Sequence, residues 1–249
     1  MPDSPKSVDL RLPTRITPCS IVNAITEVRF QTDQSPTVVP GLIYSAVRER
    51  FPKQTDLPHA QIPDAARATM PELRYAPTVV MNGEQLSLHV GPRCLFLGMN
   101  GTEYPGWSAY REMLTWVLAQ IRPLKLVKVP ERMGLRFMDF FTNPVQECLQ
   151  VDLLIGGKSE VARPLQIVSE LERRGHACRV QISNNSVLAS PTGPKQGCLL
   201  DVDLGFGSDS QLFWEQAVVL FDQAHEVQKE MFFRELVRPS FLATLKPEY

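Results

Sequence analysis

The sequence predicts an α+β fold: a strand-helix-strands-helix unit used twice, forming one largely antiparallel sheet with helices packed on one face. Three observations carry this expectation. The stretch from Val129 to Phe141, VPERMGLRFMDFF, alternates, with Met133, Leu135 and Phe137 on one side and Arg132, Gly134, Arg136 and Met138 on the other. That is the pattern of a half-buried strand. Leu135-Arg136-Phe137 echoes Val28-Arg29-Phe30 at an offset of 107 residues, and Trp214 follows Trp107 at the same offset. Apolar stripes at helical spacing follow the strands in both halves, which run 19–125 and 126–240 within a single domain of 1–249. The connection from Arg122 to Lys128 is short and apolar, unlike a flexible linker. Two separate small domains would each bury less of their surface than one joined sheet.

Taken in order, residues 1–18 contain prolines and charges and read as extended or frayed. A strand from Ile21 to Gln31 puts Val28 and Phe30 on one side, Glu27 and Arg29 on the other. Pro40 suits the first turn of a helix reaching Phe51, with Ile43, Ala46, Val47 and Phe51 as its stripe. The proline-rich residues 52–71 read as a long irregular crossing, of the kind that often carries function. A meander follows at Leu73–Met81, Gln85–Val90 and Cys94–Met99, with Asn82-Gly83 as a type I′ turn signal and Gly91-Pro92 as the second turn. Pro105 opens a helix with Trp107, Tyr110, Leu114, Leu118 and Ile121 at helical spacing, stopping before Pro123.

The second half starts with the 129–141 strand and a short helix from Pro144 to Leu149. Strands follow at Leu165–Leu171, His176–Ser183 and Gly197–Leu204, with turns at Gly175, Asn184-Asn185 and Pro191–Gly197. A long helix from Ser208 to Leu236, capped by Ser208 or Ser210, closes the chain on Phe213, Ala217, Leu220, Ala224, Val227 and Met231. The adjacent Phe232 and Phe233 diverge around that helix, so one is expected at the surface or in a homodimer contact.

The chain has 249 residues, a net charge of −1 and a pI near 6.4, so bulk charge points to neither a nucleic acid nor an acidic membrane as partner. Five dispersed cysteines without a CxxC fit reduced thiols and a cytoplasmic location. The N-terminus lacks the apolar run of a signal peptide, and no stretch is long and apolar enough to span a membrane.

The candidate binding surface is the wetter sheet face, where alternation places Glu27, Arg29, Arg132, Arg136, Arg179, Gln181, Asp201 and Asp203. Such a face is either a lattice of cross-strand ion pairs or a surface that binds a partner or an anion through arginine forks. Asp201-Val202-Asp203 offers two carboxylates to Mg²⁺ or Mn²⁺, but no third ligand lies at a telling spacing, so no metal is assigned. Gly205-Phe206-Gly207 reads as a strand-to-helix turn, because the full dinucleotide-binding glycine spacing is absent. His225 reads as a packing histidine, and His176 with Cys178 as a core pair on one strand face. No catalytic signature and no cofactor motif occurs.

Three strings carry a resemblance: Thr26-Glu27-Val28-Arg29-Phe30, Glu131-Arg132-Met133-Gly134-Leu135-Arg136-Phe137, and His225 to Phe232. Together they resemble a sporadically distributed, largely uncharacterised bacterial family of about this length, with an E-x-R-F strand, an R-x-G-L-R-aromatic strand and a terminal H-x(6)-F helix. Asp139 and Phe140-Phe141 stand here where that family has Asn and aliphatics. The resemblance implies no established activity; its patchy distribution implies genes carried with mobile or defence clusters. The expected function is a non-enzymatic cytosolic module binding a protein partner, as a homodimer, in a phage-defence or toxin–immunity setting. Its alternatives are an RNA-binding module and, lowest, metal-dependent phosphoryl or nuclease chemistry at Asp201 and Asp203. Removing Arg29 and Arg136 together is expected to abolish partner capture and spare the fold.

Overall fold

The computed structural model describes residues 11–101, 103–152, 154–155, 158–159, 164–190, 193–207 and 212–249. The first half runs β1 (Ile21–Gln31), α1 (Val39–Val47), β2 (Lys53–Asp56), α2 (Asp64–Thr69), β3 (Val79–Asn82), β4 (Leu86–Gly91), β5 (Cys94–Met99) and α3 (Trp107–Ile121). The second runs β6 (Val129–Phe141), α4 (Val145–Cys148), a small β7 (Leu154–Ile155) and β8 (Lys158–Ser159) pair, β9 (Gln166–Arg173), β10 (His176–Leu188), β11 (Lys195–Phe206) and α5 (Phe213–Glu230). A π-helical stretch, Met231–Leu236, extends α5, and α6 (Pro239–Thr244) ends the chain.

Among the described residues one antiparallel sheet has the order β2-β3-β4-β5-β1-β6-β11-β10-β9. The α+β expectation therefore holds, and β1 and β6, the two strands that share the arginine-bearing string, pair directly at its centre. From that pair the order runs outward through the meander on one side and through β11, β10 and β9 on the other. Val28, Phe30, Met133, Leu135 and Phe137 turn inward and join Tyr110, Leu114, Phe213 and Phe221 in one core, with the long helices on that face. Burying a side chain of this size is worth about 1.5–3 kcal/mol, so the inward parity decides the strand register.

One side chain enters the sheet itself. The buried Tyr110 hydroxyl receives the Thr26 N–H at 3.0 Å and donates to the Leu97 carbonyl at 2.5 Å, bridging β1 and β5. Tyr110→Phe strands two buried backbone groups and is expected to cost about 1–3 kcal/mol. A shift in the urea midpoint at unchanged slope would register it; an unmoved midpoint would show that the hydroxyl is dispensable.

Several local expectations are corrected. α1 ends at Val47, not Phe51, since the residue before Pro52 is pushed out of helical geometry. Residues 52–71 are not a bare crossing; they hold β2, α2 and two short 3₁₀ turns. β3 starts at Val79 because Pro77 has no N–H, and ladder bonding begins with Thr78 N–H to the Val90 carbonyl at 2.8 Å. Asn82-Gly83 is not a type I′ turn, for neither residue has positive φ. Gly83 is needed there for close approach: a Cβ would lie 2.8 Å from the Arg50 carbonyl oxygen.

In the second half, Asn184-Asn185 lies inside β10, where Asn184 Oδ1 receives the Leu165 N–H at 2.7 Å and the register shifts. Gly205 and Phe206 belong to β11 rather than to a turn. The Ser208 and Ser210 caps lie outside the described residues; the helix starts at Phe213 after Leu212. Phe221 rather than Leu220 is fully buried on that helix. Phe232 is buried and Phe233 half-buried, their rings 4.9 Å apart in a T-shape, so the diverging pair offers no exposed aromatic contact. Residues 11–18 are not frayed: Thr14 and Thr17 N–H bond to the Glu248 and Leu245 carbonyls at 2.6 and 2.7 Å. Among the described residues no helix is long and apolar enough to cross a membrane, and all five cysteines are free thiols.

Candidate functional site

Register brings the predicted charged residues onto one face. Directly paired residues of an antiparallel ladder point the same way. The pairs Arg29↔Arg132, Glu27↔Gly134, Arg136↔Asp203, Arg179↔Asp203 and Gln181↔Asp201 therefore align the set across β1, β6, β11 and β10, on the side away from the helices.

The side chains then close on one another. Arg29 Nε donates to Glu27 Oε1 at 2.5 Å, and Arg132 bonds the other oxygen of Glu27. Arg132 Nη2 also reaches both oxygens of Asp203, at 2.8 and 3.0 Å. Arg136 grips Asp201 as a fork, Nε to Oδ1 at 2.8 Å and Nη2 to Oδ2 at 2.5 Å. Arg179 is exposed and makes no ion pair with a described residue. Two glycines seat this network. Gly134 and Gly205 face each other across β6 and β11; a Cβ on Gly134 would overlap the Arg132 guanidinium, and one on Gly205 would crowd it at 3.2 Å. Glu27 and Asp201 are the buried members, their side chains 7% and 6% exposed, whereas Arg136 is 41% exposed. Exposed ion pairs contribute little, but a carboxylate this buried depends on its arginine.

The segment after α2 folds back over one end of the same face. Tyr75 stacks under Arg29, whose guanidinium carbon lies 5.0 Å from the ring centre. Its hydroxyl donates to Glu131 Oε2 at 2.7 Å, and Arg74 donates to Oε1 at 3.0 Å. Beside it Arg67, Arg74 and Arg93, with Asp64, line a hollow of about 320 Å³. Arg67 is 7% exposed; Nε and Nη1 reach the Ile62 and Ala76 carbonyls, while the buried Nη2 has no hydrogen-bond partner among the described residues.

A second, larger cavity of about 590 Å³ lies on the helix side, where residues 14–21, the start of α3, the far end of β6 and the end of α5 meet. Asp139 is on its wall with Ser20 Oγ donating to Oδ1 at 2.6 Å. Burial without a neighbouring cation pushes the Asp139 carboxyl up to about 7. His225 stacks flat on Trp107 at 4.3 Å, and burial holds its imidazole down to about 4, hence neutral near pH 7. His225 Nδ1 and the Tyr104 hydroxyl are buried with no hydrogen-bond partner among the described residues. His225 thus packs as expected, but it is not satisfied.

The other candidates do not assemble. Asp201 and Asp203 are each held by an arginine, and no group of three potential metal ligands occurs among the described residues. Cys178 donates to the His176 carbonyl while the His176 ring packs on Phe206, so the two do not form a nucleophile–base pair. Sequence reasoning passed over Asp139, Ser20, Tyr104 and Gln228 as a group. One signal was available: Asp139 falls on the inward side of the β6 alternation, among Leu135, Phe137 and Phe141. Compared with known proteins, the chain matches no family model and no curated sequence.

Proposed function

We propose that this chain is a non-enzymatic cytosolic module that binds a protein partner through the open sheet face and the segment folded over its end. The resemblance to a sporadically distributed bacterial family, with its phage-defence or toxin–immunity setting, belongs to the same proposal. The observation that carries the reading is the hollow beside Tyr75: a nearly buried guanidinium with an unused donor, flanked by two further arginines, suits a carboxylate side chain presented by a partner. Half-buried Ile25, Met138, Phe140 and Leu199 on the same open face supply apolar contact next to the Arg136 fork. Arginine, tyrosine and methionine are enriched in specific interfaces, and this face carries all three.

The RNA reading draws less support, because Arg29, Arg132 and Arg136 already bond carboxylates and the face carries both signs. Phosphoryl chemistry at Asp201 and Asp203 draws none, since both carboxylates are engaged. For a homodimer only the half-buried Phe233 offers contact area from that pair, Phe232 being buried. Arg93→Glu reverses charge at the hollow and removes no member of the Glu27–Arg29–Arg132–Asp203 and Arg136–Asp201 pairs; its longer-range pull on Glu131 is lost with it. Affinity capture from the native host should retain a protein with the parent chain and lose at least about tenfold of it with Arg93→Glu, and added salt should weaken the retained complex. Equal recovery with both chains would remove this surface from consideration.

A further inference from the structure

The helix-side cavity has no part in the proposed protein interface, and its chemistry points elsewhere. Its size falls within the range of small-molecule sites, about 300–1,000 Å³. Tyr104, Trp107, Phe137, Phe232 and Phe233 give it aromatic walls, and Asp139 is its buried acid. Asp139 is 2% exposed, and its only hydrogen bond with a described residue is the neutral one from Ser20. A buried carboxylate normally has a cation or several N–H donors as partners. Here Arg15, Lys229 and Glu103 line the cavity, but none pairs with Asp139; Thr14, Cys19, Ser108, His225 and Gln228 are also on its lining. The Tyr104 oxygen, also buried and unpartnered, can accept a hydrogen bond.

We propose that this cavity binds an organic amine as its ammonium ion, with Asp139 as counter-ion, the Tyr104 oxygen as a second acceptor and the aromatic walls around the hydrocarbon body. Arg15 and Lys229 also line the cavity, but neither pairs with Asp139, so an anion set against that acid would meet a like charge. A neutral ligand would leave Asp139 without a counter-charge. An ammonium group supplies the missing charge together with three donors, and aromatic faces stabilise it further. Binding then requires Asp139 ionised, so affinity rises as the carboxyl loses its proton.

The test is calorimetric titration of the full chain with phenethylamine, phenethyl alcohol and hydrocinnamate, which share a ring and differ in charge. The amine is expected to bind best, to bind about tenfold more weakly at about pH 6 than at about pH 8, and to lose about tenfold or more in Asp139→Asn. The amine itself stays protonated over that range, so the pH comparison on the parent chain stands even where a variant folds poorly. Tyr104→Phe should weaken the amine by a smaller factor and leave its pH dependence in place. Equal binding of the alcohol or the acid, unchanged amine affinity in Asp139→Asn, or no amine binding at all would overturn the assignment. Partner capture is unaffected by Asp139→Asn on this view, which keeps the two proposals separable.

Discussion

Asp139→Asn is expected to gain on its parent by about 4 kcal/mol in unfolding free energy between about pH 4 and about pH 8. The carboxyl titrates near 3.8 in its ordinary state and near 7 in the folded chain. The folded state therefore holds this proton more tightly. Stability from the protonated acid is fully present below pH 3.8 and drains away as pH rises through about 7. Asparagine keeps the shape and an acceptor for Ser20 and has no charge to desolvate. His225 works in the opposite direction. Its folded value near 4 lies below the ordinary 6.5, so stability is lost as pH falls from 6.5 toward 4. The two slopes oppose each other over that interval in the parent chain. In Asp139→Asn the His225 slope is unopposed by Asp139; His89, whose imidazole burial also holds down, adds to it, and stability climbs from about pH 4 to 6.5. Urea unfolding of both chains at unit steps of pH measures this directly. Parallel curves would mean that Asp139 titrates as an ordinary surface acid.

Arg136→Ala is expected to cost about 3–5 kcal/mol. Asp201 is 6% exposed and has the Arg136 fork as its cation, so the substitution leaves a buried carboxylate alone. Taking the carboxylate away as well, in Arg136→Ala with Asp201→Ala, should recover much of the loss, because the charge that needed a partner is gone. Arg111→Ala provides the contrast. It breaks a pair with Asp222 whose side chains are 44% and 33% exposed, and about 0–1 kcal/mol is expected. Denaturant midpoints of the three variants and their parent decide the matter; a double variant worse than Arg136→Ala would deny the pairing its role. This also changes the expectation that Arg29 and Arg136 can be removed together at no cost to the fold. Any test of the open face that deletes Arg136 confounds binding with unfolding, and for that reason Arg93 is the better probe.

Alternation along β1 and β6 was enough to place Glu27, Arg29, Arg132 and Arg136 on one face and Phe30, Leu135 and Phe137 on the other. Both strands span the residues their pattern predicts. The same reading placed the arginines and acids together but could not say that they would saturate one another. That depends on β11 lying beside β6, and on two glycines 71 residues apart, Gly134 and Gly205, meeting across that ladder to seat Arg132. Arg67 was likewise hidden inside the proline-rich stretch, whose path over the sheet has no periodic signal, and Tyr75 fell in residues 73–81, read as strand, although the strand begins only at Val79.

What the amino-acid order by itself determined is side-chain parity, because strand and helix periods are set by the local backbone and by which residues water expels. Only the tertiary structure decided what the polar residues do. Ser20, Tyr104, Asp139 and His225 come from four separate segments, and their shared cavity exists because the helices roof β6 at one end without filling it. The same burial takes water from Asp139 and His225, and it is desolvation, a property of the assembled fold, that moves their protons.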